Sequence, residues 1–304
     1  MRIGLMIGAT DGPGGTIEAI VKQAQGAEAS GFDNLWMANI FGLDAISTLA
    51  IVGQSTSKIG LATAVTPTYP RHPTAIAQQA LTTGAASGGR FQLGIGLSHQ
   101  VVIEGMLGFS YDKPAKHMRE YLSILAPLLN GETTTFAGEQ YNVNNVTLSL
   151  PGQQPVPILV AALGPVMLKL AGQMADGTVT WMTGPNTLES YIIPTINQSA
   201  HNAGKPDATI AAGFPVVLTN DPDSAREQIA KELQIYGMLP SYRSMLDKEG
   251  LEGPADLAFA GDEAELRNKI QLLRNIGVTD LCASIVASDK ETFDRTRDFL
   301  VSEL

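Results

Sequence analysis

The chain has 304 residues, of which 44% are hydrophobic and 16% are charged. This composition provides apolar material for a large core and carries too little charge for a disordered protein. The net charge of −10 and the lack of a basic run argue against a nucleic-acid partner. The N-terminal apolar run is too short for a signal peptide or a membrane span. We therefore expect a cytoplasmic protein without a membrane partner, and the single cysteine, Cys282, fits a reducing compartment.

From the N-terminus onward, short apolar runs alternate with helical patterns. The first strand, Arg2–Gly8, leads into a Gly/Pro turn at 11–15, and Thr16 then caps a helix that ends before Gly31. Seven further strands, each followed by a helix, are predicted at 33–38, 58–66, 91–96, 156–161, 177–182, 207–219 and 280–286. Eight βα units without a low-complexity linker predict an α/β fold with a single (β/α)8 TIM barrel, in which residues 1–304 form one domain.

Three segments depart from this alternation. Residues 133–150 alternate polar and apolar side chains around a glycine and two asparagines, which predicts an inserted hairpin. Residues 97–112 follow the fourth strand, and residues 237–259 follow the helix of the seventh unit; both are irregular. We expect these two insertions to cover the barrel mouth and to select the substrate.

The carboxyl ends of barrel strands carry the active site in this architecture, so the residues that follow each apolar run are the candidates. The fifth strand ends in the small residues Ala162 and Gly164, and Pro165 opens a helix at once. Amides at such a helix start form an anion site for a phosphate, although an ordinary tight turn would look the same. A second strand end with a glycine, Met182 to Gly184, follows and strengthens the phosphate interpretation.

The fourth strand, FQLGIGLSHQ, does not have the spacing of a dinucleotide-binding glycine loop. Gly94 and Gly96 are instead expected to let a ligand or a neighbouring strand approach closely. Ser98 and His99 then emerge at the rim, where His99 is either an acid–base group or merely hydrogen-bonded. The four histidines show no metal-ligand spacing and no nucleophile elbow is present, so neither a metalloenzyme nor a hydrolase is predicted.

Four motifs, in this order along the chain, carry a resemblance to a known family. They are RIGLMIG, GLATAVTPTYPRHP, GGRFQLGIGLSH and PVPILVAALGPVMLKLAGQMADGTVTW. Together they resemble the luciferase-like monooxygenase superfamily over nearly the whole chain. The similarity is greatest to the subgroup that uses the deazaflavin coenzyme F420, with its methylene-tetrahydromethanopterin reductases and F420-dependent dehydrogenases.

The resemblance implies roles for particular positions. It places a bulge with a non-prolyl cis peptide at Ala64–Val65, behind the cofactor ring, with Thr66 beside it, and a polar residue near the reactive ring edge at Asn39. Two positions depart from the F420-dependent sugar and alcohol dehydrogenases: Asn39-Ile40 replaces an Asp-His pair, and Leu97 replaces a glutamate, which argues against alcohol dehydrogenation. The full set expected to bind the cofactor is Asn39, Ala64, Val65, Thr66, Ser98, His99, Ala162, Leu163, Gly164, Pro165, Met182 and Gly184, of which Asn39 and His99 are also the catalytic candidates.

The predicted activity is hydride transfer between C5 of F420 and a small organic substrate, with reduction of an activated double bond or an imine as the favoured reaction. The alternatives are an FMN-dependent monooxygenase and a non-catalytic flavin-binding relative. The second and third helices, DAISTLAIVG and TAIAQQALTTGAA, carry small and apolar residues on more than one face, which predicts a homodimer, as the resemblance also implies.

Overall fold

A computed structural model describes residues 1–8 and 15–304, so the predicted turn at 11–15 lies outside the described residues except for its last glycine. The strands are β1 (Arg2–Ile7), β2 (Asn34–Met37), β3 (Gly60–Thr63), β4 (Thr66–Pro67), β5 (Phe91–Gly96), β6 (Thr134–Ala137), β7 (Asn142–Val146), β8 (Ile158–Val160), β9 (Gly177–Trp181), β10 (Thr209–Leu218), β11 (Phe259–Gly261) and β12 (Asp280–Ile285).

Eight of these strands form a closed parallel barrel. Their order is β10-β12-β1-β2-β3-β5-β8-β9, and pairing of β9 with β10 closes the ring. The predicted TIM barrel is therefore confirmed. All the strands run in the same direction, so their carboxyl ends meet at one mouth.

The helices pack around the barrel and across its mouth. They are α1 (Ile17–Ala29), α2 (Ala45–Ser55), α3 (Pro73–Ala86), α4 (Gln100–Ile103), α5 (Pro114–Leu129), α6 (Pro165–Met174), α7 (Pro185–Thr187), α8 (Ile193–Asn202), α9 (Pro222–Glu232), α10 (Gln234–Met238), α11 (Pro240–Glu249), α12 (Glu263–Asn275) and α13 (Lys290–Ser302). A π-helical turn, Leu188–Ile192, joins α7 to α8, and a 3-10 turn, Pro254–Leu257, precedes β11. No helix in the described ranges is both long and apolar enough to cross a membrane.

The third barrel strand differs from its prediction because it is not continuous over 58–66. It stops at Thr63, and the Ala64–Val65 peptide is cis, as the resemblance implied. At the break the Thr63 hydroxyl donates to the carbonyl of Gly94 (2.7 Å) and accepts the N–H of Gly94 (2.9 Å). A Cβ on Gly94 would lie 1.9 Å from the Thr63 carbonyl oxygen. The glycine is thus required for close approach of a neighbouring strand, which was one of its two predicted roles.

The predicted hairpin is confirmed as the antiparallel pair β6–β7. It is fastened to α5 by Glu120, whose carboxylate accepts the N–H groups of residues 139 to 141 at 2.8 to 3.1 Å. His117, on the same helix and 2% exposed, lies 2.9 Å from the Thr68 hydroxyl through Nε2 and 3.1 Å from Gln140 Oε1 through Nδ1. The hairpin therefore holds the chain that leaves β4.

The second insertion contains the short helices α10 and α11, as predicted. It ends in the additional strand β11, which the prediction missed and which pairs with the last residues of β10, Val216 to Leu218. This strand has three residues in an apolar run, LAFAG, too short for its periodicity to reveal a strand.

Candidate functional site

The inner face of the barrel becomes hollow toward the mouth. Its middle level is a packed apolar cluster of Met6, Trp36, Ala62, Leu159, Val179, Ala211 and Cys282. Side chains alternate along a strand, so residues two positions nearer the mouth lie on the same inner face. Those positions carry Gly8, Ala38, Ala64, Ala161, Trp181, Gly213 and Ser284, and Gly96 of β5 lies beside Ala161 at the same level. Seven of these eight are small, which leaves room for a flat group above the apolar cluster.

The interruption of the third strand contributes to this hollow. Ala64 and Val65 pack against the inner cluster while remaining partly exposed. A Cβ on Gly96 would lie 2.7 Å from Val65 Cγ2 and 3.3 Å from Ala161 Cβ, so the glycine makes space for the bulge. Thr66, in contrast, is completely buried, and its hydroxyl has no hydrogen-bond partner within residues 1–8 and 15–304. The bulge thus faces the mouth through Ala64 and Val65 rather than through Thr66.

The start of α6 is open. Gly164 occupies the N-cap position without a side-chain hydrogen bond, Pro165 is the first helical residue, and both are exposed. A Cβ on Gly164 would meet nothing within 4 Å. Ala162 is buried with its N–H 3.4 Å from the Thr178 hydroxyl, and Leu163 is half-buried. The first-turn amides of α6 therefore have the free positive end of a helix available for an anion.

The start of α7 is closed, which corrects the predicted support for a phosphate from the second glycine turn. The Glu249 carboxylate accepts the N–H of Asn186 (3.0 Å), the N–H of Thr187 (2.7 Å) and the Thr187 hydroxyl (2.6 Å). Gly184 allows this approach, because a Cβ there would lie 2.1 Å from Glu249 Cδ. The chain's own carboxylate takes the anion position at this helix.

Helix α11, which carries Glu249, crosses the mouth. Met182 is fully buried at φ 53° and packs with Leu246 of α11 and Leu257. On the opposite side, the ring of Tyr242 lies 5.6 Å from the ring of His99. The second insertion therefore reaches from the end of β9 to the end of β5.

The polar residues at the rim are mostly engaged. The Asn39 side-chain oxygen accepts the N–H of Ala45 (3.0 Å) at the start of α2. Ser98 is at φ 59°, and its carbonyl oxygen accepts the Tyr111 hydroxyl (3.3 Å). His99 is half-buried, and burial lowers its pKa, so the imidazole is neutral at pH 7.

The charges at the rim near β3 cancel. Arg71 forms an ion pair with Asp44. Burial opposes ionisation of Asp44, but the Ser47 N–H and the Arg71 guanidinium together hold its pKa below the ordinary value. No group of three or more His, Cys, Asp or Glu is arranged to hold a metal ion in ranges 1–8 and 15–304.

The structure thus gathers most of the predicted site residues at one mouth, with Thr66, Ala162, Met182 and Gly184 buried beneath its surface. Their roles stay predictions. Three residues at the mouth were not predicted from the sequence: Tyr236 on α10, and Tyr242 and Glu249 on α11. The aromatic residues in QIYGMLPSYR were the one signal available, and nothing in their spacing related them to the distant strand ends.

Comparisons with known proteins agree with the fold and the motifs. A sequence model of the luciferase-like monooxygenase family matches residues 1–302. A 5,10-methylenetetrahydromethanopterin reductase from Methanolobus tindarius is 28% identical over 251 residues, covering 82% of this chain and 76% of the relative. An F420-dependent glucose-6-phosphate dehydrogenase from Kineococcus radiotolerans is 29% identical over 251 residues, covering 78% of this chain and 73% of the relative.

A solved structure shows the same fold over the full length. A monooxygenase from Streptomyces bottropensis aligns with a TM-score of 0.82 and 20% identity, and the alignment covers 100% of this chain and 98% of that one.

Proposed function

The chain belongs to the luciferase-like monooxygenase family of oxidoreductases, and we propose that it binds the deazaflavin F420 and transfers a hydride between that cofactor and a small organic substrate. The family includes both deazaflavin and flavin enzymes, and the glucose-6-phosphate dehydrogenase relative depends on F420 by name. The single observation that carries the proposal is the hollow of small residues beside one open helix start.

The phosphate of the cofactor would bind at the start of α6. The amides after Gly164 lie beside open space and have no side-chain cap. A phosphate there would accept these N–H groups and gain from the helix dipole. The start of α7 would not contribute, since Glu249 fills it.

The cofactor ring would lie over the small inner residues, against Ala64 and Val65. When bound, F420 supplies a hydride at C5 or accepts one there. The protein's part is to hold the substrate face to face with the ring and to limit water at the mouth, which α11 covers. His99 is neutral and half-buried, which suits a group that hydrogen-bonds a substrate carbonyl or imine nitrogen.

Reduction of an activated double bond or an imine fits this site better than alcohol oxidation. An alcohol needs a base to remove its hydroxyl proton. Asn39-Ile40 replaces the Asp-His pair that the resemblance gives to the alcohol dehydrogenases, and the Asn39 side chain has no basic atom and is already engaged at α2. A polarised double bond needs a hydrogen-bond donor, a hydride and a proton, and solvent supplies the proton because His99 is neutral.

The test is fluorescence titration of the purified protein with F420 and with FMN, each oxidised and reduced. Preferential binding of F420 is expected, whereas preferential binding of FMN would refute the cofactor assignment and favour the monooxygenase alternative. Cofactor binding without turnover of any unsaturated substrate would favour a non-catalytic binding protein.

A charge placed at the open helix start sharpens this test. Gly164→Asp would put a carboxylate at the N-cap of α6, as Glu249 does for α7, and aspartate is a good N-cap residue. We expect normal folding with F420 affinity lower by about tenfold or more, from lost phosphate contacts and charge repulsion. Gly253→Asp, at another N-cap glycine with open space, is the matched control and should bind F420 like the wild type. Equal affinity of the two variants would exclude α6 as the phosphate site.

A further inference from the structure

A chain of aromatic rings crosses one side of the barrel mouth. Trp181, Tyr236 and Tyr242 follow each other edge to face, with ring centroids 6.3 Å and 5.2 Å apart, and Tyr242 lies 5.6 Å from the His99 ring. We call these four residues the aromatic wall. It runs from the end of β9 to the end of β5, and α10 and α11 supply its two tyrosines.

The wall faces the hollow. Trp181 lies on the inner face of the barrel, because a Cβ on its neighbour Gly213 would lie 2.7 Å from Trp181 Cε3. It is the one large side chain among the inner residues at the mouth, and it is only partly buried. A molecule bound in the hollow would therefore have the aromatic wall beside it or above it.

The charged side chains of α11, the helix that carries Tyr242, all have partners within the protein. Arg243 binds Asp247 (2.8 Å) and the carbonyls of Glu252 and Leu251 (2.7 and 2.6 Å). Lys248 lies over the Tyr191 ring at 4.7 Å. Glu249 caps α7, so all four charged side chains of α11 are engaged within the protein. A charged substrate would lose its hydration beside the wall without gaining a counter-charge from this helix.

The hydrogen-bonding side chains of the wall are uncharged as well. Burial lowers the pKa of His99 and raises the pKa of Tyr242, so both are uncharged at pH 7. No acceptor for the Tyr242 hydroxyl is found among the residues that the structure describes. The phenol is available as a donor to a neutral acceptor such as a carbonyl oxygen.

We propose that the substrate of this site is an uncharged, flat, conjugated molecule with a carbonyl or imine acceptor, stacked between the cofactor ring and the aromatic wall, with Tyr242 as a substrate-contacting residue. This inference rests on the proposed function. Aromatic side chains favour flat π-systems, and neutral donors polarise an acceptor without selecting a charge. The glucose 6-phosphate of the Kineococcus radiotolerans relative is of the opposite kind, a charged and saturated sugar.

The experiment measures binding of two matched probes to the protein loaded with F420. Cinnamamide is flat, conjugated and neutral, and cinnamate is the same shape with a negative charge. Quenching of tryptophan fluorescence reports binding without turnover, because one of the two tryptophans, Trp181, belongs to the wall and the other, Trp36, is buried beneath the hollow. We expect cinnamamide to bind about tenfold or more tightly than cinnamate. Equal binding, or preference for cinnamate, would overturn the inference.

Variants of the aromatic wall distinguish direct contact with the probe from a purely structural role of Tyr242. Tyr242→Ala is expected to weaken cinnamamide binding about tenfold, with F420 affinity unchanged. Tyr242→Phe keeps the ring and removes only the hydroxyl, so we expect its affinity for cinnamamide to fall by only about threefold. Phe293→Ala, which removes an exposed aromatic side chain of α13 outside the wall, is the control and should leave cinnamamide binding unchanged. Unchanged binding by Tyr242→Ala would refute the contact. Failure of F420 to bind the wild type would instead refute the proposed function, so the two failures are distinguishable.

Discussion

Glu249→Ala should release α11 from the barrel mouth. The carboxylate accepts three hydrogen bonds at the start of α7, two from backbone amides and one from the Thr187 hydroxyl. Each charge-assisted bond contributes about 1.5 to 3 kcal/mol when buried, but Asn186 is exposed and its amide will be rehydrated. We therefore expect a loss of about 2 to 4 kcal/mol, expressed first as local opening of α10 and α11.

Hydrogen exchange measures this opening directly. Amides of residues 234–249 should exchange about 30- to 700-fold faster in the variant, while those of β1 and β12 keep their rates. Glu249→Gln, which keeps one carbonyl acceptor, should give a smaller effect. Glu252→Ala, at an exposed glutamate three residues further on, is the control and should change stability by less than about 0.5 kcal/mol. Exchange at the wild-type rate over residues 234–249 in Glu249→Ala would refute this role of Glu249.

Three further outcomes are expected. Burial lowers the pKa of His117 to about 4, below its value of 6.5 in an unfolded chain, so its contribution to stability is complete above pH 6.5 and is lost as pH falls toward 4. The melting temperature should drop over this interval in the wild type more than in His117→Gln, and parallel curves would contradict the assignment. Gly94→Ala should cost about 3 kcal/mol or more in urea denaturation because its Cβ would overlap the Thr63 carbonyl, whereas Gly26→Ala, in open space on α1, should stabilise by up to about 1 kcal/mol. Ile51, which is 42% exposed on the uncharged helix α2, tests the predicted homodimer. Light scattering should give a dimeric mass for the wild type and a monomeric mass for Ile51→Glu. A monomeric mass for the wild type would refute the homodimer.

The barrel could be predicted from sequence because its signals are local. Each strand is a short apolar run, each helix has its own period, and caps such as Asp44 and Asp262 lie within three residues of the amides they bind. The interruption at Ala64–Val65 came from resemblance to a family, since nothing in ATAVT marks a cis bond. The family motifs lie on strands, which explains why they located the mouth.

The cover of the mouth could not be predicted, because its contacts join residues far apart in sequence. Glu249 caps amides 62 and 63 residues earlier, and Tyr242 meets His99 across the barrel. Neither contact produces a periodicity or a residue spacing that could be recognised in the sequence. The same holds for Gly184, whose sequence context indicates an open turn while the folded chain fills it.

The interlocked pair of Thr63 and Gly94 has a consequence for remodelling this protein. Gly94 of β5 touches the neighbouring backbone and Gly96 lies against the side chain of Val65, so a side chain added at either position would clash within the barrel. The exposed positions of the loops above carry no such restriction, and within residues 97–112 and 237–259 they include large apolar side chains such as Val101, Met106 and Met238. A library that varies these exposed positions, and keeps the strands and Glu249 unchanged, would explore new specificities without disturbing the barrel, so directed evolution should begin there.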